Sequence, residues 1–313
     1  MLKFIKERNL SIIDILNLGF LFIIIVFALF SLPNNPYSFK PFLTLAFALS
    51  LIIAAVAIRN RKSQKNESKF INKIIRGFVN FYPLLFFFVA FESFYMILPF
   101  LNPHDYDKEL AHLDFYLLGV NPTVWIEAFF KPWLTDLMYL LYFFYFPFPL
   151  FILFYLYRKG TDYQFNKSVF IYLLVYYGAY IIYFIVPARG PHLYAPIASL
   201  QTKDLTGIIL ASPIRNLIGT LEPNKFDAFP SLHTAISLTT IILMAKYHKK
   251  MFIIFTPVVI GIWISLVYCR YHYVTDMLAG VIWTVIAFVV GNWIYEKTLK
   301  FNLPPYFQKS KNV

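Results

Sequence analysis

The sequence predicts an all-α fold: a polytopic membrane helical bundle with about eight transmembrane helices. Three observations carry this prediction. Of the 313 residues, 59% are hydrophobic and 20% aromatic, with a mean hydropathy of +0.62, more apolar surface than a soluble domain of this length needs to bury. Several apolar runs reach the ~20 residues that cross a bilayer as a helix. The basic residues gather in short segments between those runs, as they do in cytoplasmic loops. That distribution accounts for the formal net charge of +12 through the membrane and argues against a nucleic-acid partner.

The elements follow in order. Lys3, Lys6 and Arg8 precede a first run at about 12–32, which reads as a retained anchor because it is long and lacks a small-residue cleavage site. The turn Pro33-Asn34-Asn35-Pro36 ends it. A second run at 41–58 leads into the basic segment 59–76, read as a cytoplasmic loop beside anionic lipid. Residues 1–76 are thus read as a two-helix hairpin with its basic loop, 77–296 as a membrane core, and 297–313 as a basic cytoplasmic tail. The third run, 78–101, contains Glu92, a carboxylate expected to support the site or to partner a Tyr or Arg. Residues 102–114 read as an acidic outer loop. Residues 117–133, rich in Trp and Phe, read as an interfacial helix and part of a lid.

The fourth run, 134–157, contains Pro147 and Pro149 and is expected to kink. A fifth run at 169–186 precedes the longest polar connection, 187–229. The sixth, seventh and eighth runs fall at 232–247, 251–268 and 274–295. With the N-terminus inside, eight of the 28 Lys/Arg remain outside: Lys40, Lys108, Lys131, Arg189, Lys203, Arg215, Lys225 and Arg270. Both termini are then cytoplasmic, and the connections 102–133, 187–230 and 270–274 open on the non-cytoplasmic face. In a prokaryote the host would be the inner membrane. The single cysteine, Cys269, excludes an intrachain disulfide and supplies no metal cluster.

Two stretches on that face carry chemistry: Phe229-Pro230-Ser231-Leu232-His233, and Arg270-Tyr271-His272-Tyr273-Val274-Thr275-Asp276. Ser231 is a natural N-cap for the sixth helix, with Pro230 enforcing an extended entry, and His233 falls in the first turn near unpaired N–H groups. His272 and Asp276 stand four apart, so a helical turn puts them on one face. A carboxylate can then take one ring N–H and fix the other nitrogen as nucleophile or base, with His233 opposite as the acid. Arg189, Arg215 and Arg270 lie in or beside these loops and suit a phosphate ester. His104, His112, His192 and His248 lack such a setting and are read as structural.

The two histidine stretches, with Ala279-Gly280 after the second, resemble the second and third signature motifs of the type 2 phosphatidic acid phosphatase superfamily. Leu after Ser and the Tyr-His-Tyr run are more similar to its inositol-phosphotransferase branch, the inositol phosphorylceramide synthase type. So is 114–136, with Leu118-Gly119-Val120-Asn121-Pro122-Thr123 and Pro132-Trp133-Leu134. The resemblance covers roughly residues 80–295. It implies a six-helix phosphatase-type core and metal-independent phosphoryl transfer through a phosphohistidine, without cofactor. It casts His272 as nucleophile, Asp276 as its orienting carboxylate, His233 as general acid and Ser231 as a phosphate holder. The substrate would be a lipid phosphate or phospholipid in the outer leaflet, with inositol-phosphate transfer to a lipid as one outcome.

The chain departs from the family pattern in its cations. The usual first motif is a Lys, six residues, then Arg-Pro; here Ile182 holds the Lys position and Pro187-Ala188-Arg189-Gly190-Pro191 the rest. Leu266 holds the Arg position six before the third-motif His, and Arg270 stands in as substitute. The phosphate-binding candidates are therefore Arg189, with Gly190 beside it, and Arg270, with Arg215 behind them. Two other readings make different predictions. A metal-dependent hydrolase using His233, His272 and Asp276 as ligands would lose activity on chelation. A non-enzymatic lipid transporter would want polar residues along its helix centres, which the runs lack apart from Glu92.

Overall fold

A computed structural model of the chain describes residues 7–37, 39–60, 69–221, 226–301 and 303–305. Lys3 and Lys6, the centre of the basic loop at 61–68, Lys225 and the tail from 306 onward lie outside the described residues. Helices account for the regular structure, and no strand occurs among the described residues. Six helices are long and apolar enough to cross a membrane. A seventh crossing is made if the helices Pro132–Phe144 and Phe148–Lys159 act as one span, bent by 42° at the predicted Pro147/Pro149 kink.

The sixth predicted span differs. Leu232–Tyr247 has the predicted boundaries but only 16 residues, about 24 Å of helix against a hydrocarbon layer of about 30 Å. Its faces are buried all round, including Ser237, Thr239 and Thr240, whose hydroxyls donate back to the carbonyls of His233, Ala235 and Ile236. It is a core helix wrapped by protein.

The described chain divides into two compact units. The first takes Met1–Pro103, Thr161–Leu174 and Val290–Val313. It contains α1 (Ile12–Ser31), α2 (Lys40–Asn60) and α3 (Lys69–Leu101). Ser11 and Asp14 form a capping box at the start of α1. Asp14 also takes hydrogen bonds from the Arg59 guanidinium and the Tyr82 hydroxyl, while Asn17 Nδ2 donates to Tyr82 at 3.4 Å. This buried carboxylate, rather than Glu92, is the one that pairs with a Tyr and an Arg. Glu92 is exposed on α3, on the outward face it shares with Phe88 and Leu85, four and seven residues before it.

The second unit takes His104–Gly160 and Val175–Val289 and holds every candidate site residue. Its helices are α4 (Asp107–Leu118), α5 (Pro132–Phe144), α6 (Phe148–Lys159), α8 (Ala211–Leu221), α9 (Leu232–Tyr247) and α10 (Lys249–Tyr268); α7 (Asp162–Ile185) and α11 (Val274–Leu299) contribute to both units. α4 corrects the prediction of an acidic loop followed by one interfacial helix over 117–133. Asp107 and Glu109 favour a helix N-terminus, and Gly119, at φ 72°, stops the helix in the left-handed conformation that glycine adopts freely. Residues 122–129 then form only single turns. Leu110 and Ala111 of α4 pack with Ala188, Ala228 and Tyr273, so the helix lies under both site-bearing loops.

Candidate active site

The two signature stretches meet. Ser231 caps α9 as predicted, its Oγ accepting from Thr234 N at 3.3 Å, while its own N–H donates to the Asp276 carbonyl at 3.0 Å. Gly280 permits that approach: a Cβ there would lie 2.6 Å from the Ser231 carbonyl oxygen. The result brings His272 Nε2 to 3.2 Å from His233 Nδ1, with both rings buried.

The hydrogen bonds fix the tautomers. His272 Nδ1 faces the Ala228 carbonyl at 3.1 Å and Asp276 Oδ2 at 3.4 Å. A carbonyl oxygen only accepts, so Nδ1 carries the proton and Nε2 carries the lone pair. His233 Nδ1 must then donate to that lone pair. Burial pushes His272 down to about 4, opposed by the Asp227 charge and the Ala228 carbonyl. The ring is neutral at pH 7, as a nitrogen nucleophile requires. His233 lies between Tyr142 and Tyr145, with ring centroids 4.5 and 4.1 Å away.

Asp276 does two things. Its Oδ2 accepts from Tyr273 N at 2.9 Å, closing the turn that begins α11, and also reaches His272 Nδ1. The Ala228 carbonyl is the shorter partner of the ring. Nothing in the sequence marks a backbone carbonyl as an orienting group; it is placed by the bond from Ala228 N to the Ala188 carbonyl, 3.0 Å.

The cations divide. Arg189 Nε meets Asp105 at 3.0 Å and its guanidinium lies over Phe226, with side chains of both ion-pair partners still partly exposed. Gly190, at φ 93°, is held against the histidine loop, where a Cβ would come within 2.2 Å of the Tyr271 carbonyl oxygen. Arg270 is turned to Glu127, at 2.6 Å, and to the Lys203 carbonyl, over the Phe130 ring. Arg215 bonds the Leu205 carbonyl over the Tyr139 ring. Of the three, Arg189 is the one on the loop bonded to the Ala228 segment; Arg270 and Arg215 are engaged by neighbouring protein groups. His192 packs edge-on to Tyr271, and His248 Nδ1 accepts from Met251 N at the start of α10. Cys269 is buried and free.

Sequence reasoning missed a set of carboxylates. Asp107 accepts from Arg189 N and Gly190 N, and Asp114 from Val274 N and Thr275 N. Glu127 accepts from Thr202 N and Lys203 N as well as Arg270. Asp136 takes the four N–H groups from Ile208 to Ala211 that open α8. Burial, helped by Asp105, pushes Asp107 up to about 8, and burial raises Asp114 against the hydrogen bonds from Thr275 and Val274. The available signal was position: Asp114 and Asp136 bound the upstream stretch that resembles the inositol-phosphotransferase branch. Among the described residues no group of three or more His, Cys, Asp or Glu is arranged to hold a metal ion; His233, His272 and Asp276 form a hydrogen-bonded chain instead.

Residues 108–290, more than half of the chain, match the family model of the PAP2 superfamily. The protein therefore belongs to the PAP2 superfamily, and its six membrane-length helices make it a multi-pass membrane member. A PA-phosphatase related-family protein of Dictyostelium discoideum is 26% identical over 153 residues, 49% of this chain. The match spans 28% of that protein's length. No solved structure matches the chain.

Proposed function

We propose that the protein is a lipid phosphatase or phosphotransferase that passes the phosphoryl group of a lipid phosphate or phospholipid through His272, without metal or cofactor. The observation that carries this is the fixed polarity of the histidine pair. A neutral imidazole presents its Nε2 lone pair, with its Nδ1 proton held by the Ala228 carbonyl and Asp276, and a second imidazole presents an N–H toward it. Family membership and the name of the Dictyostelium relative, a PA-phosphatase related-family protein, support a phosphatase-type reaction. The charge distribution supports a site on the non-cytoplasmic face, with both termini cytoplasmic.

At 3.2 Å the two rings leave no room for phosphorus between them, so the substrate phosphate enters by parting them. His272 Nε2 attacks phosphorus and the bond to the leaving oxygen breaks, while His233, protonated as the phosphate anion enters, supplies the proton that this oxygen needs and is left neutral. The phosphohistidine keeps its Nδ1 proton on Ala228 and Asp276, which stabilises the cationic ring. Arg189 exchanges Asp105 for phosphate oxygens. Water or an alcohol then attacks phosphorus as His233 takes its proton, the P–N bond breaks, and the pair returns to its starting state. Water makes the protein a phosphatase. A lipid hydroxyl, with inositol phosphate as the transferred group in the branch the sequence resembles, makes it a transferase.

The test is purified protein incubated with a panel of lipid phosphates and phospholipids, with and without a lipid alcohol. Free phosphate and new lipid products are scored together. An acid-labile phosphoprotein that disappears in His272→Ala, and turnover indifferent to EDTA, are expected. Full activity in His272→Ala would falsify the nucleophile assignment. Loss of activity on chelation returns the metal-dependent reading, and lipid movement without phosphate release in the double His233/His272 variant returns the transporter.

A further inference from the structure

Asp107 and Asp114 stand seven residues apart on α4, two turns along one face. Both are buried, at 0% and 2% exposure, and each carboxylate is bound to two consecutive backbone amides. Asp107 takes Arg189 N at 2.7 Å on Oδ2 and Gly190 N at 2.8 Å on Oδ1. Asp114 takes Val274 N at 2.9 Å on Oδ2, and Thr275 N and Oγ1 at 2.8 and 2.5 Å on Oδ1. The first pair belongs to the loop of the leading phosphate-binding arginine. The second lies inside the turn from His272 to Asp276. Leu110 and Ala111, between the two carboxylates, pack on Ala188, Ala228 and Tyr273, and Tyr106 N donates to the Pro187 carbonyl at 3.0 Å.

A carboxylate that accepts from two adjacent amides fixes the peptide plane between them, and a rigid helix fixes the distance between two such carboxylates. From this we infer that α4 is a yoke: Asp114 positions the His272 nucleophile, Asp107 positions Arg189, and the helix sets the separation of the two. Neither acid touches phosphate. The loops are also joined directly, through His192 N to the Arg270 carbonyl at 3.1 Å and Ala228 N to the Ala188 carbonyl, so release of one carboxylate shifts a loop without detaching it. The inference rests on the phosphotransfer reading above and assigns it two positioning residues.

The two halves of the yoke predict different kinetic losses. Asp114→Asn keeps the shape but turns an NH2 group toward one of the two amides. It should lower kcat about 100-fold, the scale of a displacement of about 1 Å at the reacting atom, while KM stays within about threefold. Asp107→Asn should raise KM about tenfold and leave kcat within about threefold. His112→Gln, on the exposed side of α4, should match wild type. A readout without substrate separates this inference from the reaction itself. In 15N-histidine-labelled protein, the Nδ1–H resonance of His272, identified by its loss in His272→Ala, should move in Asp114→Asn and hold in His112→Gln. An unmoved resonance in Asp114→Asn overturns the yoke even if the enzyme proves to be a phosphotransferase. So do parallel losses of kcat, KM and folded protein in both Asp variants. A moved resonance in a protein that never forms a phosphohistidine upholds the yoke and sinks the reaction.

Discussion

Each unit of the molecule buries a polar cluster that can be set against the other's, and the two are built on opposite rules. In the first unit, Asp14 meets Arg59 and Tyr82. The charges are opposite, each group has one role, and the capping box at Ser11 ties the carboxylate to its own helix. In the second unit, His272 meets His233, two groups of the same type with one proton between them. His233 holds that proton and can give it to a ligand or take one back, so the pair can be reset by a reaction, whereas the Asp14 cluster can only be made or broken. Buried polarity alone therefore says little about function. Exchangeable polarity says a good deal.

The comparison breaks most easily at its extremes. Replacing His272 with Ala should reduce turnover by about 10³-fold or more, the scale of losing a nucleophile, with the thermal midpoint in detergent little changed. Replacing Asp14 with Ala leaves Arg59, 11% exposed, without its counter-charge and should cost about 3–5 kcal/mol of stability. Its turnover per folded molecule should match wild type. If Asp14→Ala instead lost turnover while remaining fully folded, the division into structural and chemical clusters would be wrong. Replacing Gly280 with Ala tests both rules at once. The new methyl must push aside the Ser231 carbonyl, at an overpacking cost of about 1–3 kcal/mol, and it parts α9 from α11, so turnover should fall further than stability does.

How far the sequence could be read follows the same physical divide. Helix boundaries that depend on periodicity and capping were visible, as at Ser231 and 232–247, and so was the Pro147/Pro149 bend. The His272/Asp276 spacing was visible because i, i+4 is a property of the chain itself. What stayed hidden depended on partners 70 or more residues away. Asp136 sits at the head of an apolar run, and only the fold brings it the amides of 208–211. The polar density of 102–114 looked like a loop until Leu110 and Ala111 found apolar partners. For the arginines, identity was legible but direction was not: Arg270 turns to Glu127 because that carboxylate is carried to it from 143 positions away.

The smallest expected effects lie in pH, where His272 and Asp107, both outside the membrane spans, have opposite signs. His272 is pushed down to about 4 from an ordinary 6.5. Its contribution to stability is present above pH 6.5 and is lost as pH falls through 4, and turnover should fail over the same range because a protonated Nε2 has no lone pair. Asp107 is pushed up to about 8 from 3.8. Its contribution is present below about pH 4 and is lost as pH rises through 8, since the unfolded chain releases that proton first. Wild type should therefore lose a few degrees of thermal midpoint relative to Asp107→Asn between pH 4 and pH 8, because Asn does not titrate. Melting both proteins in one detergent across that window measures the difference. A constant gap would mean that Asp107 stays ionised throughout, held by the Arg189 and Gly190 amides more strongly than burial opposes it.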